Sequence, residues 1–495
     1  MAPSRRFLGI DVGTQSTKAL VIDADTGEVV SRGAVAYGLI EGLPKGHMEQ
    51  HPETWIDAIR GAARQALHGM DPAAVLGVGV SGQQHGAVVL DEQSRVVRPA
   101  KLWCDTSTAA EAAQLSRALG REIPAGFTAS KLAWTRDHEP RLWAKARHVL
   151  LPHDYVNFRL TDARTMECGD ASGTGFFDSA ARAFDARACA AIDARLLSML
   201  PSLVAAGEPA GTLSAAGATL LGLCEGTLVS AGGGDNMMAA IGSGAAHSGV
   251  AVISLGTSGT VFARCDAPVV DPDGLIAPFC SSDGAWLPLL CVMNLTGVTE
   301  TVRALTGMSH AALTAAAQAV PSGSDGLMWL PFLQGERVPN LPDATGQLVG
   351  MRGDNLTAGH LYRAALEGTS CNLALGAARL QRLGVPLVDV RLCGGAANNS
   401  LWQRILANLI GAPVRVVAET EAAALGAAIQ AHWTHARVHG ARENCGEAAD
   451  SFVRTVGPAV EPSPDRSADE NLLGRFSEEL FLRYGVRFAA ASSSA

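Results

Sequence analysis

Asp235 ends the run GGGD and is followed by Asn236 and the apolar stretch MMAAIGSG. A carboxylate between a three-glycine turn and a helical pattern can cap the helix. With so little bulk around it, it can also take a proton from an approaching hydroxyl. The helix N-terminus favours the charged form, so the sequence predicts an ionised, modest base. Two further stretches suit phosphate. In IDVGTQSTKA an apolar strand ends in Asp11, reverses at Gly13 and Thr14 and leaves through Ser16 and Thr17; SLGTSGTVFA repeats this at mid-chain with Gly256, Thr257 and Thr260. Glycine lets the backbone approach closely, and the N–H groups and hydroxyls of such a turn match phosphate oxygens. Either turn alone is equally an ordinary hairpin with polar turn residues. Repetition favours a shared task. Ser254 stands where the first copy has Asp11, so only the first turn can hold Mg²⁺, through water. Asp11, with Asp235 as a second carboxylate, is the candidate metal pair.

Three more stretches offer polar groups to a small ligand. GVSGQQHGAVVLD places Gln84 and His85 in a turn between apolar strands, where amide and imidazole could bond several hydroxyls, or simply face solvent. In KLWCDTST, Trp103 offers an apolar wall or a core side chain, and Asp105 a hydroxyl acceptor or a turn cap. LCGGAANNSLWQRILANLIG reads as strand, glycine turn and helix beginning near Asn399 or Ser400. Gly394, Gly395 and Ala396 would let a flat ring lie against backbone and Asn399 could bond its edge; the alternative is a βα turn with an Asn N-cap.

These groups need a scaffold of strands and helices. The runs FLGID, TKALVID and GEVVSRG predict strands, WIDAIRGAARQALHGM and LYRAALEGTSCNLALGAARLQRLG predict helices, and AVISLGTSGTVFA predicts a hairpin. The fold class is therefore α/β, in two related lobes divided near residue 247, covering residues 1–247 and 248–495. The sequence predicts a poorly constrained connection over 436–468, then a terminal helix in ENLLGRFSEELFLRYGVRF, and small-residue packing in EAAALGAA on the nucleotide side. The carboxylates Asp154, Asp162 and Asp170, and the Gly173-Thr174 pair beside them, read as structural loop and hairpin without a third phosphate turn.

Composition narrows the function. With 39 basic against 48 acidic residues and no basic block, nucleic acid is not an expected partner. The 47% hydrophobic content suits large cores, and no apolar run is long enough for a membrane span. The ten cysteines contain no CxxC pair, which predicts reduced thiols and a cytoplasmic setting. Oligomeric state is open, a homodimer included.

The ordered set IDVGTQSTKA, GVSGQQHGAVVLD, KLWCDTST, GGGDNMMAAIGSG, SLGTSGTVFA, LPFLQGER, LCGGAANNSLWQRILANLIGAPV and EAAALGAA resembles the FGGY family of carbohydrate kinases nearly end to end. The resemblance implies two duplicated RNase H-like lobes of the actin, hexokinase and Hsp70 ATPase type, closing on ATP and Mg²⁺. It implies Asp235 as the base, Gln84, His85, Trp103, Asp105 and Asn236 as sugar contacts, and the two Gly-Thr turns and the Gly394–Asn399 motif as nucleotide contacts. D-Xylulose is the sugar expected from GQQHG and WCDTST, with ribulose, glycerol or gluconate as alternatives, and an actin-like ATPase acting on a protein partner as the alternative of another class. Ser107 stands where many relatives carry Arg.

Overall fold

The computed structural model describes residues 4–487. Its first sheet grows from the hairpin Arg6–Val12 and Ser16–Asp23, extended antiparallel by Glu28–Ala36. On the other side of Arg6–Val12, Val75–Gly82 pairs parallel, followed by Leu228–Ser230. The second sheet repeats this order and these pairing senses. Val250–Leu255 and Gly259–Ala263 form the hairpin, Trp286–Val292 adds antiparallel, and Asp389–Cys393 and Val414–Val417 add parallel. Two sheets with strand order third, second, first, fourth, fifth are one fold built twice, and this explains the duplicated Gly-Thr turn.

Each sheet is covered by helices on both faces, so its central strands are apolar over most of their length. The long helix Ala358–Arg382 supports the second lobe's core, and Pro52–Ala66 and Pro152–Thr161 cover one face of the first sheet. The other face of the first sheet is covered from the far end of the chain, by Ala422–Val438. That helix packs so closely that a Cβ on Gly9 would lie 2.0 Å from the Ala424 carbonyl, one on Gly79 1.9 Å from that of Ala427, and one on Gly426 1.8 Å from that of Met238. The small residues of EAAALGAA thus pack closely, as expected, and fasten the chain's end to the first sheet and to helix Asp235–Gly242.

Two other expectations change. Residues 436–468 are not a loose connection. Asn444 and Glu447 form a capping box on helix Cys445–Asp450, and Thr455–Val460 adds an antiparallel edge strand beside Val414–Val417. The stretch around Asp154 and Asp170 is largely helical, in Pro152–Thr161 and Cys168–Ala171, with a small hairpin at Phe177–Asp178 and Ala183–Phe184. The terminal helix forms over Ser467–Tyr484.

Candidate active site

The first Gly-Thr turn is closed by the Gly13 N–H donating to the Ser16 carbonyl at 3.0 Å. Asp11, opposite Lys18 in the ladder, accepts from the Ser81 hydroxyl at 2.7 Å, and burial pushes its carboxyl up to about 6 against the pull of that bond and of Lys18. Thr14 donates to Gln83 Oε1 at 3.0 Å and accepts from the Trp103 indole at 3.0 Å. Thr17 departs from expectation. Strand alternation turns it inward, where it is fully buried with its hydroxyl 3.2 Å from that of Tyr37, so it is not presented to a phosphate.

The second turn is one residue tighter, with the Gly256 N–H donating to the Ser258 carbonyl at 3.2 Å. Thr257 and Ser258 are exposed at its tip. The shorter turn shifts the equivalence suggested by sequence: Val12 pairs with Thr17, but Leu255 pairs with Gly259, and Thr260 sits opposite Ser254 as Lys18 sits opposite Asp11. Thr260 therefore occupies the place of Lys18, and its partly buried side chain shares a face with Ser254.

Asp235 is the first residue of helix Asp235–Gly242, with Gly234 in the cap position. Its Oδ1 accepts from the Asn236 backbone N–H at 2.8 Å and from the Asn236 side chain at 3.0 Å. Burial, then the carboxylates of Asp11 and Asp170, push its pKa up to about 7 against these bonds. The fully ionised, modest base expected from the helix terminus is corrected accordingly: desolvation and like charge outweigh the dipole. Asn236 also donates to Gln84 Oε1 at 2.9 Å, and the buried Gln84 Nε2 has no protein partner. His85 adopts a left-handed backbone at φ 65° and lies 4.6 Å from the Phe127 ring centroid and 6.0 Å from that of Phe279. Burial, Lys131 and Arg337 depress its pKa to about 3 against the Gly173 backbone bond, so the imidazole is neutral.

Trp103 is half-exposed beside the first turn, whereas Asp105 is buried. One Asp105 oxygen accepts from the Met48 N–H at 2.9 Å and Lys101 Nζ at 3.1 Å, the other from the Ser107 N–H at 3.0 Å and hydroxyl at 2.5 Å. All these bonds are internal. Asp105 is thus a structural anion, not an open sugar acceptor, and Ser107 is part of its cage. In the glycine turn after strand Asp389–Cys393, Gly394 is left-handed at φ 93° and pressed against the Leu255 backbone, while Gly395 is exposed with nothing within 4 Å of its Cβ position. Ala396 is half-buried beside it. Asn399 serves as the N-cap of Ser400–Ile410: its Oδ1 accepts from the Leu401 and Trp402 N–H groups at 3.1 Å, and its Nδ2 donates to Thr314 at 3.0 Å. The capping alternative therefore describes Asn399, and its side-chain oxygen is spent on the helix.

Residues 6–242 match the N-terminal domain of the FGGY family of carbohydrate kinases, and residues 251–435 match its C-terminal domain. The chain belongs to this family. It is 40% identical to the xylulose kinase of Haemophilus influenzae over 87% of this chain and 90% of that one. It is 42% identical to the xylulose kinase of Streptomyces coelicolor over 86% of this chain and 87% of that one. The xylulose kinase structure from Bifidobacterium adolescentis superposes with a TM-score of 0.82 at 29% identity, over 95% of this chain and 99% of that one. This chain is accordingly a carbohydrate kinase of the actin and hexokinase type of fold, with ATP as its phosphoryl donor.

Several residues around these groups drew no assignment from the sequence. Gln83 links Thr14 to Gln50, bonding Gln50 Oε1 at 3.1 Å. Phe127 and Phe279 come from opposite halves of the chain to meet at His85. Lys131, fully buried, donates to the carbonyls of Ala125, Gly126 and Phe127 and so fixes the loop that carries Phe127. Burial lowers its pKa to about 7. An apolar ring or a lysine within a helix reads as core or solvated surface until the fold shows what it meets. No helix among the described residues is long and apolar enough to cross a membrane.

Proposed function

We propose that this kinase transfers the γ-phosphate of ATP to the terminal hydroxyl of D-xylulose, giving D-xylulose 5-phosphate and ADP. The observation that carries the choice of sugar is the 40% and 42% identity, over most of each chain, to proteins named xylulose kinase. Asp235 takes the proton of the attacking hydroxyl; burial, the largest cause of its raised proton affinity, makes it a better base than an ordinary carboxylate. Asn236, Gln84 and His85 form a neutral hydrogen-bonding wall beside the base, where the unpartnered Gln84 amide is available to a sugar oxygen. Trp103 closes that wall on the side of the phosphate turn.

Gly13, Thr14 and Ser16 from one lobe, and Gly256, Thr257 and Thr260 from the other, receive the phosphates, and Gly394, Gly395 and Ala396 receive the adenosine. The residues present suit Mg²⁺: the Asp11 carboxylate raises the proton affinity of Asp235, a repulsion that a divalent cation relieves. Asp11 would hold it through water, with Asp235 facing it. When bound, Mg²⁺ neutralises phosphate charge, which the loose transition state of phosphoryl transfer requires along with an oriented nucleophile. Closure of the two lobes excludes water that would otherwise accept the phosphoryl group. The free cysteines fit a reducing cytoplasm, where we place the enzyme.

The test is ADP release with Mg-ATP and D-xylulose, D-ribulose, L-ribulose, glycerol or gluconate, each against a no-sugar control. A kcat/KM for D-xylulose about 100-fold above the others is expected. A preference for another acceptor would move the substrate assignment within the family.

A further inference from the structure

The strand that leads to Asp235 contains an irregularity. Leu228 and Val229 pair with Gly77 and Val78, and Gly233 and Gly234 pair with Ser81 and Gly82. Ser230, Ala231 and Gly232 thus face only Gly79 and Val80, so the strand carries one extra residue and bulges. Such a bulge takes the Gly232 peptide off the ladder while it remains buried, and buried peptide groups need partners.

Gln430 provides them. It is fully buried on helix Ala422–Val438, the element that reaches from the chain's end to the first sheet. Its Oε1 accepts from the Gly232 N–H and the Ser230 hydroxyl, both at 2.8 Å; its Nε2 donates to the Gly232 carbonyl and the Ser282 carbonyl, both at 3.1 Å. One amide therefore grips both sides of a residue three positions before Asp235. It also ties that residue to the turn after strand Ala277–Cys280 of the second lobe. On the opposite side, a Cβ on Gly232 would lie 2.7 Å from the Val80 carbonyl and 3.0 Å from the His153 ring. The bulge is held from both sides.

We propose that Gln430 is a positioning residue for phosphoryl transfer, fixing the bulge that aims Asp235 and coupling it to the second lobe through Ser282. This rests on the assignment of Asp235 as the base. Gln430 itself touches no reacting atom. Displacing a base by a fraction of an ångström to one ångström reduces the chemical step and leaves ligand contacts made elsewhere intact, so kcat and KM separate.

The experiment uses the full chain with Gln430→Met, which keeps the length of the side chain and loses all four bonds, and Gln430→Glu, which keeps the acceptor and loses the donor. For Gln430→Met, kcat is expected to fall about 30-fold, with both KM values within about threefold of the parent. Amide exchange is expected to accelerate within residues 230–236 only. In Gln430→Glu the second oxygen faces the Gly232 and Ser282 carbonyls, so kcat should fall at least as far, and whichever variant folds carries the test. A folded variant with parental kcat, or exchange that accelerates across the whole first sheet, would overturn the proposal. Asp235→Asn is assayed in parallel. Retained turnover there defeats the base assignment, whereas the confined exchange change still reports whether Gln430 holds the bulge.

Discussion

Trp103 donates its indole N–H to Thr14 Oγ1 at 3.0 Å, joining its half-exposed ring directly to the first Gly-Thr turn. Thr14 in turn donates its hydroxyl to Gln83 Oε1 at 3.0 Å, so the position of the turn depends on what Trp103 does. Trp103→Phe keeps an aromatic wall and removes the bond. The KM values for sugar and for ATP should rise together, by about three- to tenfold, with a smaller change in kcat. Steady-state kinetics with each substrate varied will show this, and a rise confined to the sugar would mean that the bond transmits nothing to the nucleotide.

Asp105 is predicted to matter for folding. Its carboxylate and the Lys101 ammonium are both wholly buried, with Lys101 also 3.0 Å from Glu49. Asp105→Asn removes one anion from this cage and leaves the cation underpaired, at a cost of about 3 kcal/mol. Chemical denaturation should show this loss, and the folded fraction should keep a sugar KM close to the parent's. A raised KM at unchanged stability would restore Asp105 to the sugar site.

The contrast between Asp105 and Asp235 shows what a sequence carries and what it omits. The duplicated lobes were legible because strand periodicity and the repeated Gly-Thr turn are local. So were the positions of Asp11 and Asp235, each attached to a glycine turn. The status of Asp105 and Thr17 depended on partners 57 and 20 positions away, which no spacing rule reports, whereas Asn399 caps through N–H groups of Leu401 and Trp402 close by, so the sequence posed that alternative without deciding it. The one-residue shift of Thr260 was hidden for a related reason: Thr17 and Thr260 align as letters, but the ladder register places Thr260 opposite Ser254. Helix Ala422–Val438 was legible as a closely packing element. Its target was not, because the small residues it meets, Gly9, Gly79 and Gly242, lie far off in the chain.

His85 supplies a pH signature. Its pKa of about 3 lies below the ordinary 6.5 because burial and two nearby cations oppose the charge. In the folded enzyme it should show no titration of its ring proton resonances between pH 5 and 8. Below pH 6.5 the unfolded chain binds a proton that the folded chain refuses, so this residue makes stability fall as pH drops from 6.5 towards 3. His85→Gln should make that decline shallower in denaturation series across the acid range. An equal slope in both proteins would show that His85 takes up its proton in the fold.

The contact between helices Asp235–Gly242 and Ala422–Val438 leaves no room for a side chain at Gly242 or Gly426. A Cβ on Gly242 would lie 1.9 Å from the Ala422 carbonyl. Gly242→Ala should therefore cost about 3 kcal/mol, since one of two packed helices must move. Gly474, within helix Ser467–Tyr484, has nothing within 4 Å of its Cβ position, and Gly474→Ala should stabilise by about 0.5 kcal/mol through helix propensity. Thermal unfolding of the pair separates close packing from a general sensitivity to alanine, and similar effects at both positions would refute it.

The decisive substitution for the chemistry is Asp235→Asn. The asparagine can still accept from the Asn236 backbone N–H through its oxygen, so the start of the helix should persist and thermal unfolding should change little. What disappears is the group that takes up a proton, and with it a factor of about 10² to 10⁴ in turnover. Because Gln84, Asn236 and His85 keep their places, sugar binding should survive and be measurable by calorimetry. Loss of binding together with turnover would assign Asp235 to holding the sugar, and preserved turnover would leave the orientation of the hydroxyl and the phosphate turns to account for catalysis without a protein base.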